Sequence, residues 1–295
     1  MRIEDIKLIN GENVFQKAEI EANDKTIDYE IFGNITYIQM LSLCKGLNLI
    51  SEFYDVNAAC SIKGSGITAV ALGQSLADAV QKVMDSNPID FLASVIVTSM
   101  EVDSEVVRFL RETNVIVAPS FSKKAIEVLE TRGVTYVAIK TPLKEYKNYL
   151  SNDVKITPLG TLTQTPNLSE LDKDLFKTVT KTAPTVEQVE DAVFAWKVAK
   201  YNQSQSIVIA KDLKTAAIAQ GLQSASVEFA LDYSCDLSKD AILASDMPIT
   251  LHDLNVASQG RISLIIVPSV DKELISQADK YGIAIITTGF TNILY

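Results

Sequence analysis

Histidine, tryptophan and cysteine are scarce in this 295-residue chain, which contains one histidine, one tryptophan and three cysteines. Cys44, Cys60 and Cys235 are too few and too scattered for a disulfide framework or a zinc cluster. We therefore expect a reduced, cytoplasmic protein without a structural metal. Any mechanism that depends on histidine must use His252, because the chain has no other.

Basic residues and long apolar runs are also in short supply. The chain has 27 Lys and Arg residues against 37 Asp and Glu residues, a formal net charge of −10. This balance argues against a nucleic-acid or anionic membrane surface. No apolar run approaches the ~20 residues of a membrane span, and the first residues lack the apolar centre of a signal peptide. We expect neither a nucleic-acid partner nor a membrane association.

Strand-like and helix-like segments alternate along the chain. Residues 91–98 and 134–139 read as buried strands, and residues 104–111 and 122–132 read as helices, the second ending at Gly133. Hydrophobic residues make up 47% of the chain, enough for a sizeable core. The alternation predicts an α/β architecture with a largely parallel sheet.

The second half of the chain repeats features of the first. Residues 117–123 match residues 266–272 at an offset of 149, with smaller matches at 151 (92–94 with 243–245) and 147 (68–69 with 215–216). This predicts an internal duplication, with a first unit at 1–155, an ordered connecting excursion at 156–184 and a second unit at 185–295. The polar bridge that contains the excursion, residues 140–185, is too long to be left structureless in a compact protein.

One short stretch is a candidate substrate cradle. Lys63 ends an apolar segment and is followed at once by Gly64, Ser65 and Gly66. Glycine allows close backbone approach and positive φ, and the amide N–H groups of such a turn can face an anion. The alternative interpretation is an ordinary tight turn beside a solvent-facing lysine.

Several segments, taken in order, resemble one enzyme family. They are FAWKVAK (194–200) with the preceding KTAPTVEQVEDAV, NVIVAPS (114–120), ILASD (242–246) and DKYGIAI (279–285). Together they resemble aminoimidazole carboxamide ribotide (AICAR) transformylase, the formyl-transfer domain of the bifunctional purine enzyme that also carries inosine monophosphate cyclohydrolase. The resemblance runs from Leu8 to the C-terminus, and by it we expect a member without the cyclohydrolase domain.

The resemblance carries expectations about fold, cofactor and partners. The family has two tandem cytidine-deaminase-like α/β units, lacks the deaminase zinc signature and uses 10-formyltetrahydrofolate. It acts as a homodimer with sites built across the interface. By resemblance we expect a homodimer that binds a small nucleotide-like or folate-like ligand.

The catalytic residues of the family carry over only in part. Transformylases use a Lys-His pair, in a pattern like K-H-x-N-P-x-G, to polarise the formyl group and assist proton removal from the substrate amine. The matching residues here are Lys63 and Gly64, so the histidine is lost. The family asparagine that follows the conserved helix matches Gln205, a longer amide. Lys63 and Gln205 are our candidate catalytic residues.

The family's nucleotide contacts are altered more severely. A pattern like L-R-Y-G-E-N-P-H-Q becomes Leu8-Ile9-Asn10-Gly11-Glu12-Asn13-Val14-Phe15-Gln16, and G-Q-M-S-R becomes residues 221–225. Ile9, Ala225 and Thr291 therefore stand where the family has arginines, which bind phosphate strongly through charge-assisted bonds. Asn10, Gly64, Ser65 and Gly66 remain as candidate ligand-binding residues.

The folate side of the site is also changed. Asp246, which in the family faces the pterin, is kept and is a further candidate ligand-binding residue, whereas the aromatic pair that should follow it is absent. The S-A-F-G-G segment has become residues 90–94, and a Gly-Gly-Ser loop has shortened to Pro268-Ser269. Asp246 has a plainer interpretation as a cap of the following turn. Four other polar residues are expected to cap helices: Ser120, Ser122, Ser269 and Asp271.

Three functions remain open. The favoured one is a transformylase-fold protein with little or no transformylase activity that binds a less anionic ligand or a partner protein. The alternatives are a weakened AICAR transformylase and a new enzyme that uses Lys63. An open cleft around Lys63, Gln205 and Asp246 would favour ligand binding, whereas a cleft filled by Ile9, Phe15 and Leu222 would favour a structural role.

Overall fold

The computed structural model describes residues 6–222 and 225–295. Gln223 and Ser224, which belong to the altered 221–225 motif, lie outside the described residues. Within the described ranges, no helix is both long enough and apolar enough to cross a membrane. The helices are α1 (Tyr37–Ile50), α2 (Leu76–Ser86), α3 (Pro88–Phe91), α4 (Ser104–Val107), α5 (Lys123–Arg132), α6 (Val186–Ala199), α7 (Ser226–Ser234), α8 (Leu251–Gln259) and α9 (Lys272–Tyr281).

The strands form one large mixed sheet and one exposed hairpin. Their bounds are β1 (Tyr29–Phe32), β2 (Ala58–Lys63), β3 (Gly66–Leu72), β4 (Val95–Thr98), β5 (Val115–Ala118), β6 (Thr135–Ile139), β7 (Asp153–Thr157), β8 (Gly160–Gln164), β9 (Lys177–Thr178), β10 (Ile207–Lys211), β11 (Lys214–Ala219), β12 (Ile242–Ser245), β13 (Leu264–Val267) and β14 (Ala284–Thr287). The hairpin consists of β7 and β8.

The twelve strands of the large sheet lie in the order β1-β6-β5-β4-β2-β3-β11-β10-β12-β13-β14-β9. From either outer strand inward, one meets first three parallel strands and then the two strands of a hairpin. Each half has three parallel strands, β4-β5-β6 or β12-β13-β14, next to an antiparallel hairpin, β2-β3 or β10-β11. The α/β class is confirmed. The sheet is mixed rather than largely parallel, because the short turns within the two hairpins reverse the chain.

Local sequence signals set several helix boundaries. Thr36 with Gln39, and Thr185 with Gln188, form capping boxes that start α1 and α6, and each bonds two backbone N–H groups that the helix leaves unpaired. Gly133 ends α5 with a φ of 67°, as expected from the sequence. Such left-handed backbone favours glycine because it has no Cβ.

Two features of the first half differ from the sequence-based expectation. Residues 91–98 are not one strand: Asn87 and Pro88 start the short helix α3, and β4 begins only at Val95. The predicted helix 104–111 ends at Val107. The match of 92–94 with 243–245 is also wrong, because the strands that correspond in position, β4 and β12, begin at residues 95 and 242.

Alternating residues of the strands face two helical layers. In β4, Val95 and Val97 pack on the side of α1 and α6, whereas Ile96 packs on the side of α2 and α5. This alternation follows from the twofold repeat of a strand. Trp196, on α6, is 2% exposed and belongs to the core.

A buried ionic cluster joins the two halves on the α1–α6 side. The Glu52 carboxylate accepts bonds from the Tyr201 hydroxyl at 2.6 Å and from Nζ of Lys200 at 3.2 Å, and it lies 3.3 Å from Nζ of Lys147. Nζ of Lys200 also donates to the Ser169 carbonyl, within the polar bridge. This bond ties the bridge to the end of α6.

Candidate functional site

The candidate residues lie along one side of the sheet, the edge formed by the ends of neighbouring strands and not by an outer strand. β2, β11 and β12 end at this edge, and β3 and β10 begin there, because each neighbouring pair among these five strands is antiparallel. The turn between β2 and β3 carries Lys63 to Gly66, and the segments next to β10 and β12 carry Gln205 and Asp246. With strands about 4.8 Å apart, four strand steps separate Lys63 from Asp246 by roughly 19 Å.

Lys63 sits at the end of β2 as half of an ion pair. Its Nζ lies 3.0 Å from Oδ1 of Asp90, and both side chains are about 40% exposed (44% and 39%). Asp90 stands where the resembling family has serine. Sequence reasoning did not identify it as a partner of Lys63, because α3 lies 27 residues further along the chain. The charge of Lys63 is thus paired with the carboxylate of Asp90 from the same chain.

The partner carboxylate of Lys63 is itself held in place. Oδ2 of Asp90 accepts a bond from the Asn87 side-chain amide at 3.0 Å, and the Asp90 backbone N–H donates to Oδ1 of Asn87 at 3.1 Å. Burial, followed by the charge of Asp90, raises the pKa of Tyr233, while a bond with Asn87 opposes the shift. Tyr233 belongs to α7, so this cluster brings a residue of the second half close to Lys63.

The Gly64–Ser65 turn is fixed by α1. The Ser42 hydroxyl donates to the Gly64 carbonyl at 2.6 Å, and Nζ of Lys45 donates to the Ser65 carbonyl at 2.5 Å. Gly64 has a φ of 61°, and a Cβ at this position would meet open space. Burial lowers the pKa of Lys45. The turn therefore lies between two lysines, of which only Lys63 was expected.

Asn10 lies at the same edge through its contact with α1. Its carbonyl accepts from the backbone N–H of Tyr37 at 3.4 Å, at the first residue of the helix. Ser42 follows five residues later, or about 7.5 Å along the axis. The side-chain amide of half-buried Asn10 donates to the Gly11 carbonyl. The structure thus places Asn10 near the Lys63 turn.

Gln205 and Asp246 form a second group further along the edge. Asp246 is fully buried: its Oδ2 accepts from the Ser204 hydroxyl, and its Oδ1 accepts from the Ser206 backbone N–H at 2.9 Å. Burial raises the pKa of this carboxyl, although both bonds oppose the shift. Gln205 is half-buried, follows a cis peptide bond, and its carbonyl accepts from the Ser226 hydroxyl.

The two groups are bridged by Gln220, which follows β11. Its side-chain amide donates to the Ile67 carbonyl at 3.4 Å, and a Cβ on Gly66 would lie 3.1 Å from the same nitrogen. The backbone N–H of the next residue, Gly221, donates to the Gln203 carbonyl. A row of polar groups, the ridge, therefore runs from the Lys63 turn to Gln205, and the buried Asp246 lies beyond it.

A cavity of about 370 Å³ opens at this edge beyond Asp246. It lies between the loops that follow β13 and β14, whose carboxyl ends form the kind of crevice in which open α/β sheets bind ligands. Its lining includes Pro268 and Ser269, the position of the shortened loop, together with Thr288 and Gly289. The C-terminal segment then returns to the ridge, since the Leu294 N–H donates to the Ser204 hydroxyl.

The residues that would fill the site in a purely structural protein are exposed. Ile9 is 63% exposed, Phe15 is 83% exposed and Leu222 is 43% exposed. These side chains therefore do not pack into a closed core over Lys63, Gln205 and Asp246.

The site does not fit a folate in the manner of the resembling family. The carboxylate that would face the pterin belongs to Asp246, whose relative exposure is 0% and whose two oxygens already accept bonds from Ser204 and Ser206. Because Asp246 has no exposed surface, a ligand contact by its carboxylate would require the surrounding residues to move. The aromatic pair of the family is also replaced, by Pro248 and Ile249.

Other polar candidates have local structural roles. Ser122 and Asp271 cap α5 and α9, as predicted, whereas the Ser120 hydroxyl donates to Glu101. His252 is 66% exposed and lies 2.8 Å from the carboxylate of Glu228. These contacts of His252 and Ser120 do not involve the Lys63 turn.

Comparison with known proteins gives a consistent result. A family model described as "AICARFT/IMPCHase bienzyme" matches residues 3–232. The bifunctional purine biosynthesis protein PurH of Caldicellulosiruptor saccharolyticus is 31% identical over 96% of this chain, and that of Acetivibrio thermocellus is 29% identical over 95%. The PurH protein of Fusobacterium nucleatum is 30% identical over 94%. The chain spans a little over half the length of these relatives: 58%, 57% and 56%.

Proposed function

Because the chain belongs to the AICARFT/IMPCHase bienzyme family, we propose that it is a cytoplasmic member whose formyl-transfer site has been rebuilt. It has little or no AICAR transformylase activity and binds a less anionic small molecule, of nucleoside-like character, along the ridge from Lys63 to Gln205. An origin in that pathway is supported by the relatives, which are named as purine biosynthesis proteins.

The Lys63–Asp90 ion pair carries this proposal. In the family pattern, a lysine and three arginines meet a dianionic ribotide; here Asp90 lies 3.0 Å from the lysine. Ile9, Ala225 and Thr291 stand at the arginine positions. Arginine–phosphate bonds are among the strongest in protein sites. The loss of the arginines and the added carboxylate of Asp90 should therefore weaken the binding of a phosphate group. The turn amides, Gln205 and Asn10 remain to bind hydroxyl and amide groups.

We also propose that the two halves are cytidine-deaminase-like units that arose by duplication. The support is the strand order, which is the same from either edge, and the recurring elements: α1 and α6 begin 149 residues apart, as do α5 and α9. The proposed boundaries are 1–155 and 185–295, with the connecting excursion between them.

A second copy of the chain is the proposed partner. Exposed apolar side chains surround the Asp90 cluster: Ile89 is 77% exposed, Leu92 50%, Phe229 50% and Tyr233 48%. Contiguous apolar surface of this kind marks protein interfaces. Covering it in a homodimer would bring the partner's surface up to Lys63 and exclude water from the polar turn.

Thermal unfolding with ligands tests the proposed function. AICAR, inosine monophosphate, their dephosphorylated nucleosides and reduced folates are added in turn. A nucleoside at 100 times its Kd should stabilise the fold by about 2.7 kcal/mol, a shift of several degrees, and AICAR should give a much smaller shift. Asp90→Asn is the matched control, because freeing Lys63 should improve AICAR binding about fivefold, equivalent to ~1 kcal/mol.

A large shift with AICAR plus folate in the wild type would contradict the proposal and identify a weakened transformylase. No shift with any nucleoside would also contradict it and would favour a partner protein as the ligand.

Sedimentation velocity tests the homodimer. The wild type should sediment at twice the chain mass at micromolar concentration, and Phe229→Asp should sediment as a monomer, because it places a charge in the apolar patch. Leu162→Asp on the exposed β8 strand, whose side chain is 62% exposed, is the matched control and should remain dimeric. A monomeric wild type, or a dimeric Phe229→Asp variant, would refute this interface.

A further inference from the structure

The cavity of about 370 Å³ between the loops that follow β13 and β14 has no part in the proposed function. It lies on the face of the sheet that α8 and α9 cover, because its lining residues Val179 and Val270 pack against the core of that face. Its lining includes neither Gln205 on the ridge nor residues 246–249 on the folate side. The inference drawn from it is therefore independent of the ligand proposed for the ridge.

The first half of the sheet provides an internal comparison for this cavity. The offset of 149 that relates residues 117–123 to residues 266–272 in the sequence also holds in the strand registers. Ile116 lies opposite Tyr136 in the first half. Ile265 lies opposite Ile285 in the second half, 149 residues later in both strands. Each position around the cavity can therefore be compared with its counterpart.

In the first half, three aromatic rings pack together at the corresponding place. The rings of Phe32 and Tyr136 are stacked with their centroids 4.5 Å apart. The ring of Phe121, in the loop that follows β5, meets the ring of Tyr136 edge-on with the centroids 5.1 Å apart. Tyr136 is 3% exposed, so aromatic rings fill the space between sheet and loop on this side.

In the second half, aliphatic side chains replace the three rings. Val270 stands at the position of Phe121. Ile285 stands at the position of Tyr136. The third replacement is Val179, whose backbone N–H donates to the Ile285 carbonyl at 3.0 Å and so lies beside it in the sheet. Val179 and Val270 line the cavity. Since protein interiors are normally close-packed, the cavity corresponds to rings that this half of the chain lacks.

The lining of the cavity carries one charge, that of Lys177. Lys177 lies opposite Thr287 in the sheet, and both residues line the cavity, as expected for opposite residues, which share a face. Lys177 is exposed and forms no ion pair with any residue that the structure describes. In the first half the corresponding position is that of Glu30, opposite Ala138. The sign of the charge is therefore reversed between the two halves.

The Ser269 hydroxyl adds a neutral donor to the lining. The sequence predicted that Ser269 caps α9, but the cap is Asp271, whose Oδ1 accepts from the Leu274 N–H at 2.8 Å. Within residues 6–222 and 225–295, the Ser269 hydroxyl forms no hydrogen bond that would compete with a ligand. None of the described residues that line the cavity is acidic. The cavity thus offers a cation and a hydroxyl beside an apolar wall.

Together, the missing rings and the positive charge specify an occupant. A cavity of about 150 Å³ suffices for benzene, so 370 Å³ accommodates two fused rings and a small substituent. We propose that this cavity binds an aromatic carboxylate. The rings lie among Val179, Val270 and Ile275, and the carboxylate pairs with Lys177 at the mouth and accepts a hydrogen bond from Ser269.

Methyl NMR with two probes that differ in charge tests the site. 2-Naphthoate has two fused rings and a carboxylate, and 2-naphthamide has the same rings without the charge. Ile275 lines the cavity, and its counterpart Ile126 on α5 is the internal control. 2-Naphthoate should shift the methyl resonances of Ile275 in a saturable manner and leave those of Ile126 unchanged. 2-Naphthamide should bind about fivefold more weakly, the scale of an ion pair near the surface.

Three variants identify the groups that bind the probe, with the Kd measured by calorimetry. Lys177→Met should weaken 2-naphthoate binding about fivefold and leave 2-naphthamide binding unchanged. Val270→Phe restores a ring that the first half has and should abolish binding of both probes. Its melting temperature should equal or exceed that of the wild type, because the ring fills an existing cavity. Lys63→Met, on the ridge, is the matched control for Lys177→Met and should bind both probes as the wild type does.

Three results would each overturn the proposal. The first is no shift of Ile275, or equal shifts of Ile275 and Ile126, at millimolar 2-naphthoate. The second is an unchanged Kd for 2-naphthoate in Lys177→Met. The third is a loss of 2-naphthoate binding in Lys63→Met, which would place the probe on the ridge. A failure of nucleosides to bind the ridge would alter none of these measurements, so the two proposals are refuted separately.

Discussion

The wild-type protein is expected to transfer a formyl group from 10-formyltetrahydrofolate to AICAR about 10²–10⁴-fold more slowly than a transformylase that keeps the Lys-His pair. The reason is Gly64: the residue after Lys63 has no side chain to take a proton from the substrate amine. The PurH protein of Caldicellulosiruptor saccharolyticus, 31% identical to this chain, is the reference to be assayed beside it, by following tetrahydrofolate formation.

Gly64→His is the informative variant for this prediction. A Cβ at this position meets open space, and histidine tolerates a φ of 61° better than most residues do. The variant should raise kcat while KM for AICAR stays high, because Ile9, Ala225 and Thr291 still replace the arginines. A wild-type rate within tenfold of the reference, or no effect of Gly64→His on a measurable rate, would contradict the role assigned to this position.

Glu52→Ala should destabilise the fold by about 3–5 kcal/mol, the usual consequence of leaving a buried charge without its partner. Lys200 and Glu52 have side chains only 6% and 10% exposed, with Nζ and carboxylate 3.2 Å apart. Removing the carboxylate leaves the ammonium of Lys200 with the Ser169 carbonyl as its acceptor. Urea unfolding at 25 °C measures the change.

Two comparisons isolate the buried charge as the cause. Glu105→Ala breaks an ion pair with Arg108 in which both side chains are about 60% exposed (60% and 59%), and should cost less than about 0.5 kcal/mol. The double variant Glu52→Gln with Lys200→Met removes both charges and should recover most of the loss. An effect of Glu52→Ala as small as that of Glu105→Ala would refute the argument.

Acid should reveal the same interaction. Burial alone would raise the pKa of Glu52, but the Tyr201 hydrogen bond and the charges of Lys200 and Lys147 outweigh it and hold the pKa below its ordinary value. A carboxyl whose pKa is lower in the folded state contributes stability above the ordinary value of about 4.3, and that stability is lost as pH falls through the folded pKa. The unfolding free energy of Glu52→Gln should therefore fall less steeply below pH 4.

Local sequence signals predicted the helices and strands better than their assembly. The glycine at 133 and the apolar run 134–139 define the end of α5 and β6 through forces that act within a few residues. The junction of β3 with β11 pairs Ala71 with Lys214, and no local pattern specifies a partner so distant. The error at 91–98 arose because an apolar run does not distinguish a strand from the short helix that Asn87 and Pro88 initiate.

The part of the candidate site that consists of neighbouring residues was predictable from the sequence. The contacts between distant segments were not. Lys63 to Gly66 form a turn because the glycines allow it, and sequence alone showed that. The pairing of Lys63 with Asp90 depends on how α3 folds back beside β2, and the burial of Asp246 depends on Ser204 and Ser206, 40 or more residues earlier. Both facts required the tertiary structure.

The outer strands of the twelve-stranded sheet have a consequence for aggregation. An unpaired edge strand is a template on which another chain can add. One edge is β9, which is two residues long, exposed and begins with Lys177; the other is β1, where Glu30 forms an ion pair with Lys140 of the adjoining segment. Short length and charge are both known to block strand addition. Both outer strands therefore protect the sheet against the addition of strands from other chains, although its strands are among the most apolar segments of the chain.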